Sequence, residues 1–125
     1  MTIAYLCVLI AALLPYCFVG YAKFSTKGYN NNKPRDFLDK LEGKTKRAHY
    51  AHLNSFEAFP SFAASIIISQ LAGVNQGTIS SIAVLFIIFR IFYGFCYIFD
   101  QANARSLMWF GGIICVISLF ILALK

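Results

Sequence analysis

The chain has 125 residues, of which 59% are hydrophobic and only 13% are charged, and its formal net charge is +6. In ordinary soluble domains roughly a quarter of the residues are charged. A soluble fold of this length could not bury so much apolar surface, because small domains bury only part of the surface that their unfolded chains expose. The composition therefore excludes an ordinary soluble protein and predicts one membrane-embedded domain.

Four apolar segments each reach the ~20 residues that a helix needs to cross a bilayer. They cover residues 2–22, about 47–72, about 78–99 and about 106–124. The runs are continuously apolar instead of alternating, which favours helices over the strands of a membrane barrel. We therefore expect an all-α, integral membrane four-helix bundle that occupies residues 1–125 as a single domain.

The first segment contains Pro15, and a membrane helix tolerates the kink that such a proline introduces. A cleaved signal peptide is the alternative for this segment. It has little support, because the segment lacks a basic region before its apolar run and no clear small-residue cleavage site follows. We expect a spanning helix here.

The loop at residues 23–46 concentrates the charge. Between Lys23 and Arg47 lie eight basic and three acidic residues, a net of +5 out of the total of +6. The positive-inside rule places this loop in the cytoplasm and both termini on the opposite side. Because the basic residues are confined to one juxtamembrane loop, they indicate topology and contact with anionic membrane lipids, and we expect no nucleic-acid partner.

The second apolar segment contains a stripe of polar side chains. At 100° per residue these lie on one helix face, at spacings i, i+3, i+7 and i+10; they are Arg47, Tyr50, Asn54 and Glu57. His49 and His52 point elsewhere, so we interpret them as interfacial residues and not as ligands. A polar stripe this narrow is not a solvated surface.

The third segment repeats this pattern with Arg90, Tyr93 and Tyr97 at i, i+3 and i+7. An ion at the centre of a membrane helix costs roughly 2.5 to 3.5 kcal/mol, so Glu57 and Arg90 must pair or line a polar cavity. One interpretation is an ion pair that ties two helices together. The other is a site for an anionic ligand, because the two tyrosines and Arg105 supply more donors than one carboxylate requires.

All four cysteines fall within predicted spans and none forms a CxxC pair. We interpret them as small buried hydrophobic residues, and we expect neither a metal site nor a disulfide.

Together these residues resemble a known family. The pattern Arg47-x3-Ala51-x2-Asn54-x2-Glu57-x2-Pro60 is followed by Arg90-x2-Tyr93-x3-Tyr97, and then by the sequence ARSL from Ala104 to Leu107. This pattern is similar to that of the MAPEG family, the membrane-associated proteins in eicosanoid and glutathione metabolism. The likeness covers nearly the whole chain, and the local sequences EAFPSFAAS and ARSLMWFGG most resemble the small bacterial branch of the family.

The resemblance implies a homotrimer that binds glutathione between neighbouring subunits. It implies a membrane-bound glutathione-dependent transferase or peroxidase acting on hydrophobic, lipid-soluble substrates, with glutathione as co-substrate. By position, the residues implied to bind glutathione are Arg47, Tyr50, Asn54, Glu57, Arg90, Tyr93 and Tyr97. Arg105 corresponds to the catalytic arginine that holds the thiol as thiolate in the leukotriene synthase. A thiol with a pKa of about 8.5 reacts better when a fixed cation favours its ionised form.

Two departures from the family pattern keep a second hypothesis open. Active eukaryotic members usually carry an arginine where this chain has Tyr50, and the spacing from Tyr97 to Arg105 is one residue longer than in the leukotriene synthase. The family includes a non-enzymatic member, the five-lipoxygenase-activating protein, which binds lipid. The alternative is therefore a non-catalytic membrane scaffold that binds lipid or a thiol.

Overall fold

The computed structural model of the chain describes residues 2–125. Within that range lie five helices and no strand: α1 (Thr2–Phe24), α2 (Pro34–Asp39), α3 (Gly43–Leu71), α4 (Gln76–Ile98) and α5 (Ala102–Ala123). The all-α prediction is confirmed. The four long helices correspond to the four predicted segments, and α2 is a fifth, short helix inside the loop at residues 23–46.

Helices α1, α4 and α5 are each long and apolar enough to cross a membrane. Helix α3 does not belong to this set, because its first half carries the polar stripe and several basic residues. Its 29 residues nevertheless make it about 43 Å long, which exceeds the ~30 Å of a hydrocarbon core. The length of α3 allows its apolar second half to lie in the bilayer while its first half reaches the basic loop.

The long helices pack so that α3 and α4 separate α1 from α5. Helix α1 packs against α3 and α4, and α5 packs against the same two helices. One core cluster includes the stacked rings of Phe62 and Phe86, whose centroids lie 3.9 Å apart. A second cluster lies where α1 ends and α3 begins, which we call the basic end. The bundle thus has an α1/α4 face and, opposite to it, an α3/α5 face.

Helix α2 closes the basic end over the second cluster. Its Leu38 and the following Leu41 are buried there. The ammonium of Lys46 on α3 donates hydrogen bonds to the carbonyls of Leu38 at 3.4 Å and Asp39 at 2.6 Å. These bonds satisfy carbonyls at the end of α2, which a helix cannot satisfy internally, and they join α2 to α3.

The turn between α3 and α4 fixes the start of α4. The side-chain carbonyl of Asn75 accepts a hydrogen bond from the backbone N–H of Thr78 at 3.1 Å. An asparagine at this capping position satisfies one of the free N–H groups of the first turn. Helix α4 therefore begins at Gln76, two residues before the predicted start of its span.

Gly94 permits Phe18 of α1 to pack directly against the backbone of α4. A Cβ atom at this position would lie 1.9 Å from the ring of Phe18, which is itself buried. We expect Gly94→Ala to lower the free energy of unfolding in detergent by about 1 to 3 kcal/mol, because the core must move to accept the methyl group.

The matched control for this prediction is Gly20→Ala, since a Cβ there meets no atom within 4 Å. It should leave stability unchanged or raise it by up to about 1 kcal/mol, because alanine favours a helix interior over glycine. Phe18→Ala combined with Gly94→Ala removes the clash, so the double variant should lose less than the sum of the two single variants. Equal losses for the two glycine variants would contradict this account.

Candidate functional site

A cleft of about 380 Å³ opens on the α3/α5 face, towards the basic end. Its volume falls in the range of roughly 300–1,000 Å³ that is typical of small-molecule sites. The lining residues come from α3, α4 and α5; they are Asn54, Tyr93, Tyr97, Arg105, Ser106, Trp109 and Phe110. Four of these seven residues, Asn54, Tyr93, Tyr97 and Arg105, are among the candidate site residues named from the sequence.

Two arginine–tyrosine pairs, which we call the ladder, lie at the inner side of the cleft; Arg90 is the one member that does not line it. The guanidinium carbon of Arg90 lies 4.2 Å from the ring centroid of Tyr93, and that of Arg105 lies 4.4 Å from the ring centroid of Tyr97. The two rings meet edge to face at 5.7 Å. Such cation–ring contacts hold an arginine in place without neutralising its charge. Both tyrosines also line the cleft, where a phenol O–H can donate a hydrogen bond to a ligand.

The position of Arg105 follows from the turn before α5. Asp100 adopts a left-handed backbone conformation with φ of 59°, which redirects the chain after α4. Helix α5 consequently begins at Ala102, four residues before the predicted start of its span, and Arg105 lies in its first turn. The N-cap residue Gln101 makes no side-chain capping bond. The helix N-terminus and the Arg105 guanidinium both favour an anion at this end of the cleft.

Arg90 is hydrogen-bonded to Asn54, which lines the cleft. Arg90 is only 3% exposed, and its Nη2 donates to Oδ1 of Asn54 at 2.8 Å. The Nδ2 of Asn54 in turn donates to Oε2 of Glu57 at 3.1 Å. The direct Glu57–Arg90 ion pair considered from the sequence is replaced, within the described residues 2–125, by a chain of hydrogen bonds in which Asn54 is the middle member.

Glu57 differs from its partners because it is exposed on the surface of the single chain. It is held by Asn54 beside the cleft and does not line it. A carboxylate at this place offers an acceptor for a cationic group of a ligand at the outer rim. The rim is open on the side of α3 that faces away from the core.

The remaining predicted residues lie near the cleft without lining it. Arg47 is half-buried and its Nε donates to the carbonyl of Ile98 at 3.1 Å, so it braces the end of α4. Tyr50 is 42% exposed, with its ring 6.2 Å from that of Tyr97 and the Lys46 ammonium 5.3 Å from its centroid. The structure therefore places Asn54, Glu57 and the ladder residues next to one another. Arg47 and Tyr50 lie outside this group and do not line the cleft.

The two histidines lie in a different place. His49 and His52 approach each other to 3.4 Å between their Nδ1 atoms. They line a separate groove with Arg35 and Asp39, away from the cleft residues. Among the residues that the structure describes, no group of His, Cys, Asp and Glu could hold a metal ion.

Sequence reasoning missed the outer wall of the cleft. Ser106, Trp109 and Phe110 all line it, and the last two are exposed. Their spacing from Arg105, at i+1, i+4 and i+5, places all four residues on one helix face, and this signal was available from the sequence. The outer wall is apolar, so the cleft joins a cationic inner surface to an apolar surface on the exterior of the bundle.

Comparison with known protein families matches residues 3–125 to the MAPEG family. Searches of curated proteins and of solved structures found no match. With three helices able to cross a membrane, the match also supports an integral membrane protein. The family match spans every residue of the cleft and essentially the whole of the chain, and the chain therefore belongs to the MAPEG family.

Proposed function

We propose that the protein is a membrane-bound glutathione-dependent transferase or peroxidase that acts on hydrophobic electrophiles dissolved in the bilayer. The observation that carries the proposal is the two-sided cleft. Arg105 and the phenol groups form its inner wall, and Trp109 and Phe110 form its outer wall. A polar thiol and an apolar electrophile can meet in such a place, each against a surface that suits it.

The charged groups of glutathione each have a complementary residue at or beside the inner wall. The two carboxylates of the tripeptide suit arginine guanidinium groups and tyrosine O–H donors. Its α-amino group suits the exposed carboxylate of Glu57, which Asn54 holds beside the cleft. The site carries two arginines against one glutamate, and this excess of positive charge favours a tripeptide whose net charge is negative.

Arg105 is the residue that we assign to the chemical step. A fixed cation beside the glutathione sulfur lowers the pKa of that thiol and raises the fraction present as thiolate. The thiolate sulfur then attacks the electrophilic carbon, a carbon–sulfur bond forms and the leaving group departs with its electron pair. The proton of the thiol is released to water at the basic end.

The exposed position of Glu57 also favours a composite site. In a single chain the outer rim of the cleft is open, and a neighbouring subunit packed against the α3/α5 face would cover it. We therefore propose a homotrimer, as in the family. Native mass spectrometry in mild detergent should detect three chains; a protein that remains monomeric while it turns over substrate would contradict the composite site.

Turnover of a generic electrophile tests the proposal directly. The purified protein in detergent or nanodiscs is mixed with glutathione and 1-chloro-2,4-dinitrobenzene, and the conjugate is followed by absorbance. A hydroperoxide is assayed in parallel for the peroxidase reaction. We expect rates above the uncatalysed background for at least one acceptor. Background rates with several acceptors of both kinds would refute an enzyme.

The second candidate is a scaffold that binds a thiol or lipid without catalysis. It is favoured by Tyr50, which stands where active eukaryotic members usually carry an arginine and which leaves the site with one cation fewer. Calorimetry with glutathione and with other low-molecular-weight thiols distinguishes the two. Measurable affinity without turnover would support the scaffold.

A further inference from the structure

A small cavity lies between α3, α4 and α5, next to the cleft. Its volume is about 10 Å³, and Trp109 lines both this cavity and the cleft. We call it the seam cavity; its lining includes Ser61, Phe86, Arg90 and Gly112. A cavity of about this volume has room for one water molecule.

Arg90 has more hydrogen-bond donors than the side chains around it accept. A guanidinium carries five N–H groups. Among the described residues 2–125, one oxygen accepts from Arg90, the Oδ1 of Asn54 at 2.8 Å, and the ring centroid of Tyr93 lies 4.2 Å from the guanidinium carbon. Arg90 is 3% exposed and belongs to a helix that can cross a membrane. Because a buried charge is costly without hydrogen-bond partners, this guanidinium requires a further polar partner.

The seam cavity has the polar groups that such a partner needs. Polar atoms form a clear part of its surface. The hydroxyl of Ser61 donates its single proton to the carbonyl of Ala58 at 3.2 Å, so its oxygen can still accept a hydrogen bond. A water molecule in the cavity can accept from an N–H of Arg90 and donate to Oγ of Ser61, which gives it two protein partners.

Another cavity of about 10 Å³ also touches Arg90, but its surface is different. This inner cavity lies between α1, α3 and α4. Ser55 and Arg90 belong to its lining, yet its surface is almost entirely apolar, so the polar atoms of both residues face elsewhere. Apolar cavities stay dry. The inner cavity is therefore a comparison for the seam cavity within the same molecule.

We propose that the seam cavity binds one ordered water molecule, which completes the hydrogen bonding of the Arg90 guanidinium. The cavity is too small for a carboxylate or a phosphate group, so its size specifies water. The bound water stabilises a cation inside the bundle without a carboxylate partner. It also holds the guanidinium where Nη2 donates to Asn54, a lining residue of the cleft. This site does not depend on whether the cleft is catalytic.

A crystal structure of the protein grown from a lipid phase tests the site directly, at a resolution that shows ordered water in the cleft. We expect density within about 3.2 Å of both a guanidinium nitrogen of Arg90 and Oγ of Ser61, and none in the inner cavity. Water in the cleft without density in the seam cavity would overturn the proposal. Density in the inner cavity alone would overturn it as well.

Gly112→Ala tests the same site through stability. A Cβ at Gly112 would lie 3.6 Å from the ring of Phe86 and 3.7 Å from Cδ of Arg90, which are ordinary contact distances. All three residues line the seam cavity, so the methyl group takes the space of the water. In a dry cavity this variant should be stabilising, as we expect for Gly20→Ala, because alanine favours a helix interior over glycine.

Displacing the water instead leaves a buried charged donor without its partner. We therefore expect the unfolding equilibrium constant of Gly112→Ala in detergent to be roughly tenfold or more above that of Gly20→Ala. An equal or smaller constant for Gly112→Ala would overturn the proposal.

Arg90→Met distinguishes the loss of water from an effect of the methyl group itself. Methionine is a long side chain without N–H donors, so the water has no charged partner in this variant. We expect Gly112→Ala to lose its penalty in the Arg90→Met background, and the same penalty in both backgrounds would overturn the water site. If Arg90→Met does not fold, the density and the comparison of the two glycine variants still decide.

Discussion

Replacing Arg105 by alanine is expected to lower the rate of conjugation at pH 7 by roughly thirtyfold. A thiol with a pKa of about 8.5 is only a few per cent ionised at pH 7, so the loss of the cation returns glutathione to that fraction. The affinity for glutathione should change much less. The fold should lose about 1 kcal/mol, because Arg105 and Tyr97 are half-buried and their cation–ring contact lies between the exposed and the desolvated case.

The pH dependence makes this prediction specific. Removing the cation raises the pKa of the bound thiol, so the deficit of the variant should be largest near pH 7 and should shrink as the pH approaches 9. Initial rates at saturating glutathione across this range measure it. Arg105→Lys should retain much of the rate because it keeps the charge, and Lys33→Ala, an exposed loop cation, should have no effect.

Two outcomes would contradict the role of Arg105. Equal rates for wild type and Arg105→Ala would remove the residue from the mechanism. A deficit that stays the same from pH 7 to pH 9, together with a higher KM, would indicate that Arg105 binds glutathione without ionising its thiol.

The second large effect is expected at Asn54, and it concerns stability. Asn54→Leu removes the oxygen that accepts from the buried guanidinium of Arg90. A buried cation without its partner costs several kcal/mol, so we expect the free energy of unfolding to fall by about 3 kcal/mol or more. Unfolding in mixed micelles with increasing denaturant measures the loss.

Two further variants test the order of the chain Arg90, Asn54 and Glu57. Asn54→Asp combined with Glu57→Gln keeps an oxygen acceptor for Arg90 and lets the glutamine amide donate to the new carboxylate, so this double variant should retain most of the stability. Glu57→Gln should cost less than about 1 kcal/mol, because position 57 is exposed and glutamine retains an oxygen for the Asn54 amide. If Glu57→Gln cost as much as Asn54→Leu, the carboxylate would be the true partner of Arg90.

Helical spacing explains why most of the site could be predicted. Arg90, Tyr93 and Tyr97 needed only the 3.6-residue period to be placed on one face, and a charged residue inside an apolar run already indicated a partner. The identity of that partner depended on which of two polar groups, Asn54 or Glu57, lies closer across the helix interface. That distance is set by how the two helices pack, and the residue spacing along one helix gives no information about packing between helices.

Other features depended on contacts that are remote in sequence or on local backbone geometry. Arg47 bonds to a carbonyl 51 positions away, so its spacing could not distinguish a brace from a ligand. The early start of α5 follows from a left-handed aspartate, where glycine or asparagine is the usual signal. The spacing of Trp109 and Phe110 places them on the same helix face as Arg105, but that spacing does not show whether the two apolar side chains line a cleft or contact lipid.

The apolar outer wall formed by Trp109 and Phe110 determines how the proposed activity on lipid-soluble acceptors must be measured. For an acceptor that dissolves in hydrocarbon, the concentration next to this wall is its mole fraction in the membrane. Its bulk concentration in the assay affects the rate only by setting how much of it partitions into the membrane. Adding inert lipid at a fixed amount of acceptor should therefore slow the reaction by dilution in two dimensions. A KM expressed per litre of buffer would vary with the amount of lipid, whereas one expressed per mole of lipid would stay constant.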